Sequence, residues 1–176
     1  MPAVDPDIVV ECTELAAAIL VTFVVLRWHT ETAQWLSFKF DLKFLPFACI
    51  LGLLGGNVCF AIQKELGEVG FYKLGLFTLA LGVLAVPVIE ETLCRGVILE
   101  SLLHRHRIPF SIFLSSILFA FDHASFWPAL VGQIMLSTVY LGSRRSLTMS
   151  MIAHGVSNLA TSFPFDVLRY THYFKS

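Results

Sequence analysis

Six apolar runs, each near the length of a bilayer crossing, fill most of this 176-residue chain. They extend from Ile8 to Leu26, Phe44 to Ile62, Phe71 to Ile89, Pro109 to Ala124, Phe126 to Leu141 and Leu147 to Phe163. About 20 mainly apolar residues in a helix cover the hydrocarbon core, and lipid offers backbone N–H and C=O groups no partner, so such runs fold as helices. The expected fold is all-α: a polytopic membrane helix bundle of about six transmembrane helices, with residues 1–176 forming a single transmembrane domain. With 56% hydrophobic and 14% charged residues and a mean hydropathy of +0.75, the composition excludes an ordinary soluble domain. A formal net charge of -1 gives no basic excess that would suggest nucleic acid.

The last three runs are short and closely connected, which predicts tilted or partly re-entrant helices. Met1 to Asp7 lacks the basic start of a cleavable signal, so the first run is expected to be retained. Cys12, Cys49, Cys59 and Cys94 fall one per apolar segment without CxxC spacing, and read as small buried hydrophobes. Placing the N-terminus outside puts Arg27, Lys39, Lys43, Arg105, Arg107, Arg144 and Arg145 on the cytoplasmic side, against Lys64, Lys73, Arg169 and Lys175 outside. Trp28 to Lys43 reads as a short interfacial helix, and Trp35, Trp127 and Tyr140 as interface anchors. The stretch RGVILESLLHRHR, Arg95 to Arg107, either extends the third helix or lies at the interface, with His104 and His106 near lipid headgroups.

Ionisable groups within such runs are costly and mark function. Glu90 and Glu91 close the third run, and Arg95 stands four residues beyond Glu91, where the two can pair. Glu90 then points about 100° away, free to face a cavity. A second motif, Phe119-Ala120-Phe121-Asp122-His123, closes the fourth run, where Asp122 either caps the next helix or bonds an imidazole. The third, His154-Gly155-Val156-Ser157-Asn158, places His154 and Asn158 on one helix face. Each motif alone also suits helix packing. Together they exceed what packing requires, and they suit water-mediated peptide hydrolysis: Glu90 with His123 to hold and deprotonate water, His154 with Asn158 to donate to an oxyanion. Neither GxSxG nor HExxH occurs. The spans put Glu90 and His154 toward the cytoplasmic half and His123 near the outer end of its run.

In order and spacing these residues resemble the CPBP intramembrane proteases, also called the CAAX protease and bacteriocin-processing or Abi family, whose pattern is EExxxR, FxxxH, then HxxxN or HxxxD. The resemblance covers Val86 to Ala160. It implies a glutamic-type intramembrane endopeptidase in which Glu90 activates water, His123 assists, and His154 with Asn158 forms the oxyanion site. Glu91, Arg95 and Phe119 would support that site. No cofactor is expected; the competing reading binds zinc through Glu90, Glu91, His123 and His154.

Prokaryotic relatives, including the myxosortase-like sorting branch, lead to an expected location in a prokaryotic cytoplasmic membrane. The expected partners are membrane lipid and a hydrophobic, membrane-embedded or lipid-anchored protein or peptide substrate, without nucleic acid. Prenylated CAAX substrates of larger eukaryotic members are not carried over. Two other classes compete: a non-catalytic bacteriocin-immunity or scaffold protein, and a small proton-coupled transporter subunit.

Overall fold

A computed structural model describes residues 36–67 and 76–163. Five helices account for most of these residues, and no strand occurs among them: α1 (Leu45–Glu65), α2 (Leu76–Leu103), α3 (Ile108–Ala120), α4 (Phe126–Gly142) and α5 (Leu147–Ser162). The described residues are all-α, as expected. The helices α1 and α2 are long and apolar enough to cross a bilayer, whereas α3 and α4 are shorter apolar helices. The predicted run Ile8 to Leu26, together with Trp35, lies outside the described residues.

One open alternative is decided and one expectation is corrected. Of the two readings of Arg95 to Arg107, extension of the third helix holds as far as Leu103, so Glu90 and Glu91 sit near the middle of α2. The reason is that the polar side chains beyond Ile89 face inward and find partners, as Glu91, Arg95 and Glu100 all do. The described part of the expected interfacial helix, residues 36–43, is not helical. Its backbone has another task. Ser37 O accepts the Leu147 N–H at 2.8 Å and Lys39 O accepts the Ser146 hydroxyl, so this segment supplies acceptors at the start of α5, where helix N–H groups lack internal partners.

Small residues set how closely α5 can be approached. Gly52 and Gly56 on α1 face it, and a Cβ on either would collide with the carbonyl of Ala153 or of Ser157. This is the small-xxx-small contact that lets two apolar helices meet backbone to backbone. On its other side, α5 presents Gly155 to α2, where a Cβ would lie 2.5 Å from Val83 O. Helix α5 is thus clamped between α1 and α2, and carries its polar residues into the gap.

Helix α2 is wide-turned in two places, Leu81–Ala85 and Thr92–Leu99. The N–H of Val86 reaches back five residues to Leu81 O instead of four to Gly82 O. Pro87, next along, has no N–H to offer Val83 O. The N–H of Glu100 likewise bonds Arg95 O. Such π turns release backbone carbonyls from the ladder and are concentrated at functional sites.

The connections 104–107 and 143–146 and the lead into α1 gather at one end of the bundle, with Lys39, Lys43, Arg105, Arg107, Arg144 and Arg145 exposed there. His104 and His106 lie at the same end, His104 Nδ1 2.7 Å from Glu100 O and His106 edge-on to Phe110. Arg27 lies outside the described residues. From this basic end, Glu90 is about 20 Å up α2 and His123 about 22 Å up α3, at 1.5 Å per residue. The short α3 brings His123 level with Glu90 where the expected spans separated them. Its run ends three residues before His123, and the turn to α4 lies at the level of the glutamates.

Candidate active site

The sequence neighbours Glu90 and Glu91 occupy different environments. Glu91 is fully buried, and its Oε1 lies 2.9 Å from Arg95 Nη1 and 2.8 Å from His154 Nδ1. Its Oε2 accepts the hydroxyl of Ser150, which is also fully buried. Arg95 then donates from Nη2 to Gln133 O at 2.9 Å, tying α2 to α4. Glu91 is therefore a junction between helices α2 and α5. Glu90, on the adjoining face, keeps about a quarter of its side chain exposed (26%), and its Oε2 stands 3.6 Å from His154 Nε2.

The imidazole of His154 lies between the two carboxylates. A carboxylate paired with an arginine is ionised and only accepts, so Nδ1 carries the proton directed at Glu91. Nε2 faces Glu90 and the partly open space beside it. When that nitrogen is protonated as well, the four groups Glu90, Glu91, Arg95 and His154 sum to zero charge. Burying charge without such compensation is costly.

Asn158 lies one turn beyond His154 on α5 and donates from Nδ2 to Gly82 O at 2.7 Å. That carbonyl is the one Val86 passes over in the first π turn, so the turn creates the acceptor that Asn158 uses. One amide hydrogen and the amide oxygen remain for other partners. The third motif thus fastens α5 to α2 at two levels, His154 to Glu91 and Asn158 to the Gly82 carbonyl.

His123 sits in the turn after α3. Its Nδ1 is 3.0 Å from Phe119 O, and its ring stacks on Phe119 with centroids 4.0 Å apart and planes 29° apart. With Nδ1 on a carbonyl it is a donor, which leaves Nε2 as the basic nitrogen in the neutral ring. The helix that leads to His123, α3, packs against the Thr92–Leu99 stretch of α2 that follows the glutamates. Asp122 takes neither expected role: Ser125 occupies the N-cap position of α4, and the His123 nitrogen is held by Phe119 O.

These positions bring Glu90, Glu91, Arg95 and His154 together, with Asn158 one turn along and His123 in the turn after α3 at the depth of Glu90. The zinc reading fits this arrangement poorly. Among the described residues no three His, Cys, Asp or Glu side chains converge as a metal site. Both oxygens of Glu91 are already engaged, and a guanidinium lies against one of them. Among the described residues, Cys49, Cys59 and Cys94 are free thiols.

Ser150 was not singled out from the sequence, although its position four residues before His154 on the same face was a usable signal. Gln133 contributes a backbone carbonyl and left no trace in side-chain chemistry. Glu100 was also overlooked. It is buried on α2 nearer the basic end, accepting from Tyr140 Oη and Arg145 Nη1, each at 2.9 Å.

Residues 72–160 match the family described as type II CAAX prenyl endopeptidase Rce1-like. No curated protein and no solved structure matches the chain.

Proposed function

The chain belongs to the Rce1-like family of type II CAAX endopeptidases, a family of integral-membrane peptidases, and we propose that within it this protein hydrolyses a peptide bond by water activated at Glu90. The observation that carries this reading is the division of labour between neighbouring carboxylates. Glu91 is neutralised by Arg95, while Glu90 is unpaired by arginine, partly open and 3.6 Å from His154 Nε2.

Glu90 holds a water and takes its proton as the oxygen attacks the scissile carbonyl, with His123 at the same depth to share that water. His154, protonated on both nitrogens and anchored through Nδ1 to Glu91, donates from Nε2 to the oxyanion; Asn158 donates from its second amide hydrogen. Collapse of the tetrahedral intermediate breaks the C–N bond, and the proton held by Glu90 passes to the leaving amine. Water becomes the new carboxyl oxygen and no covalent enzyme intermediate forms. No metal takes part in this scheme.

The depth of the site supports a membrane-associated substrate. Helix α3 is about 20 Å long and the hydrocarbon core about 30 Å, so the α3–α4 turn and Glu90 lie inside the bilayer. Soluble domains do not reach this depth. The substrate is a membrane-associated protein or peptide presenting an extended hydrophobic segment, in a multi-pass enzyme of a prokaryotic cytoplasmic membrane. The basic end of the bundle faces the cytoplasm.

The test is mass spectrometry of membrane peptides from host cells carrying the wild type or Glu90→Gln. A precursor that accumulates only in the variant, cut at one position by the wild type, supports the reading and identifies the substrate. Unchanged peptides together with an unchanged phenotype would leave a binding or scaffold role as the better account.

A further inference from the structure

We infer that Ser150 is a positioning residue for this site: its hydroxyl holds one oxygen of Glu91 so that the other is shared between Arg95 and the His154 imidazole. The inference rests on the hydrolytic reading for its kinetic consequence, but its structural content stands apart from it.

Ser150 and His154 are one turn apart on α5 and both reach Glu91 on α2. A carboxylate and a guanidinium left to themselves pair as a fork, two oxygens against two nitrogens. Here they do not. Only Nη1 of Arg95 meets Glu91, at Oε1; Nη2 is spent on Gln133 O, and Nε is buried without a partner. The fork is thus incomplete on the arginine side, and what occupies Oε2 is the Ser150 hydroxyl. Because Ser150 is completely buried, water does not substitute for that hydroxyl.

Removing the hydroxyl leaves Oε2 without a donor beside a guanidinium with an unused N–H. The carboxylate then gains by turning toward Arg95, which withdraws Oε1 from His154 Nδ1. An imidazole released from Glu91 loses both its orientation and the anion that balances a second proton. Ser150 therefore acts on the reaction through Glu91 and His154, without touching substrate.

The experiment compares full-length wild type, Ser150→Ala, Ser150→Thr and Ser150→Cys in lipid nanodiscs. It has two readouts: turnover on the peptide found by mass spectrometry, and the 15N and proton resonances of labelled His154. Ser150→Ala is expected to lower kcat roughly ten- to hundred-fold with KM little changed, as misplacement of a catalytic group does. The hydrogen-bonded Nδ1 proton signal of His154 should disappear in the same variant. Ser150→Thr, which keeps the hydroxyl, should retain the signal, and Ser150→Cys, similar in size with a weak donor, should lose it. A Ser150→Ala protein with wild-type kcat and an unaltered His154 spectrum overturns the inference; if Ala does not fold, an unaltered spectrum in Ser150→Cys does so. Should the wild type cleave nothing, the hydrolytic reading fails while the His154 signal alone still decides the role of Ser150.

Discussion

Glu91 bonds His154 through Nδ1 at 2.8 Å, while Glu90, its immediate neighbour in sequence, meets the other nitrogen of the same ring at 3.6 Å. One imidazole therefore joins a sealed ion-paired network to a carboxylate that remains partly open. The two glutamates differ by one residue in sequence and about 100° around the helix, and this rotation puts one carboxylate in the ion-paired network and leaves the other partly open.

Opposite outcomes follow for the two carboxylates. Glu91→Ala leaves the Arg95 guanidinium buried without its counter-charge, a loss of about 3–5 kcal/mol for a pair broken on one side. The protein should unfold at a markedly lower temperature in detergent, or fail to accumulate. Glu90→Gln removes a carboxylate with no arginine partner and keeps its shape, so the melting temperature should stay near wild type while turnover disappears. A variant pair with equal melting temperatures would contradict the network.

In the proposed scheme Asn158 has two tasks, and they are separable. Asn158→Ala removes an oxyanion donor, which costs about 10²–10³ in kcat at comparable sites. It also frees Gly82 O, so amide hydrogen exchange should accelerate in the π turn Leu81–Ala85. Exchange unchanged in that turn would mean that the Asn158 to Gly82 bond does not hold α2 against α5.

Much of this arrangement was legible from spacing alone. The four-residue steps Glu91 to Arg95 and His154 to Asn158 place each pair on one helix face, and the structure keeps both geometries. What spacing did not reveal is where helices stop. Hydropathy left open whether the third helix runs on past Ile89, because it counts charges without knowing that Glu91, Arg95 and Glu100 have partners across the bundle. The fourth run already read as short, and its helix is shorter still, ending at Ala120, which lowers His123 to the level of Glu90. The π turns and the roles of the Gly82 and Gln133 carbonyls belong to the backbone, which side-chain patterns do not record.

Metal removal should leave activity unchanged. A zinc peptidase holds its ion on three protein ligands and leaves a position open for water. Here Glu91 is committed to Arg95, Ser150 and His154, and using it as a ligand would strand the guanidinium. Dialysis against a chelator followed by turnover and elemental analysis is the check. Activity lost on chelation and restored by zinc would require the carboxylates to rearrange around the ion and would displace the water-on-glutamate scheme.

Tyr140 is the clearest departure from expectation, and it supplies a prediction about stability alone. Its place near the end of an apolar run suggested an interface anchor, but the side chain is fully buried and donates to Glu100 Oε1 at 2.9 Å. Arg145, half-exposed at 51%, donates to the other oxygen from a turn in which Arg144 and Arg145 both have positive φ, 57° and 62°. Non-glycine residues adopt that backbone reluctantly. The Arg145 side chain gains a buried acceptor by doing so, and the Schellman-like bond from Arg145 N to Tyr140 O at 2.8 Å closes the end of α4. Glu100 thus gathers α2, α4 and the turn before α5 at the basic end, well below Glu90. Tyr140→Phe keeps the ring and its packing but leaves Glu100 Oε1 without that donor, a loss of about 1–3 kcal/mol for a buried group left unsatisfied. The melting temperature should fall, while kcat and KM at the lowest temperature tested remain those of the wild type. An interface anchor would behave differently: its removal would change partitioning between lipids of different headgroup and leave stability in detergent untouched. Melting curves in detergent beside turnover in nanodiscs separate the two, and a Tyr140→Phe protein as stable as wild type would show that the bond to Glu100 contributes nothing.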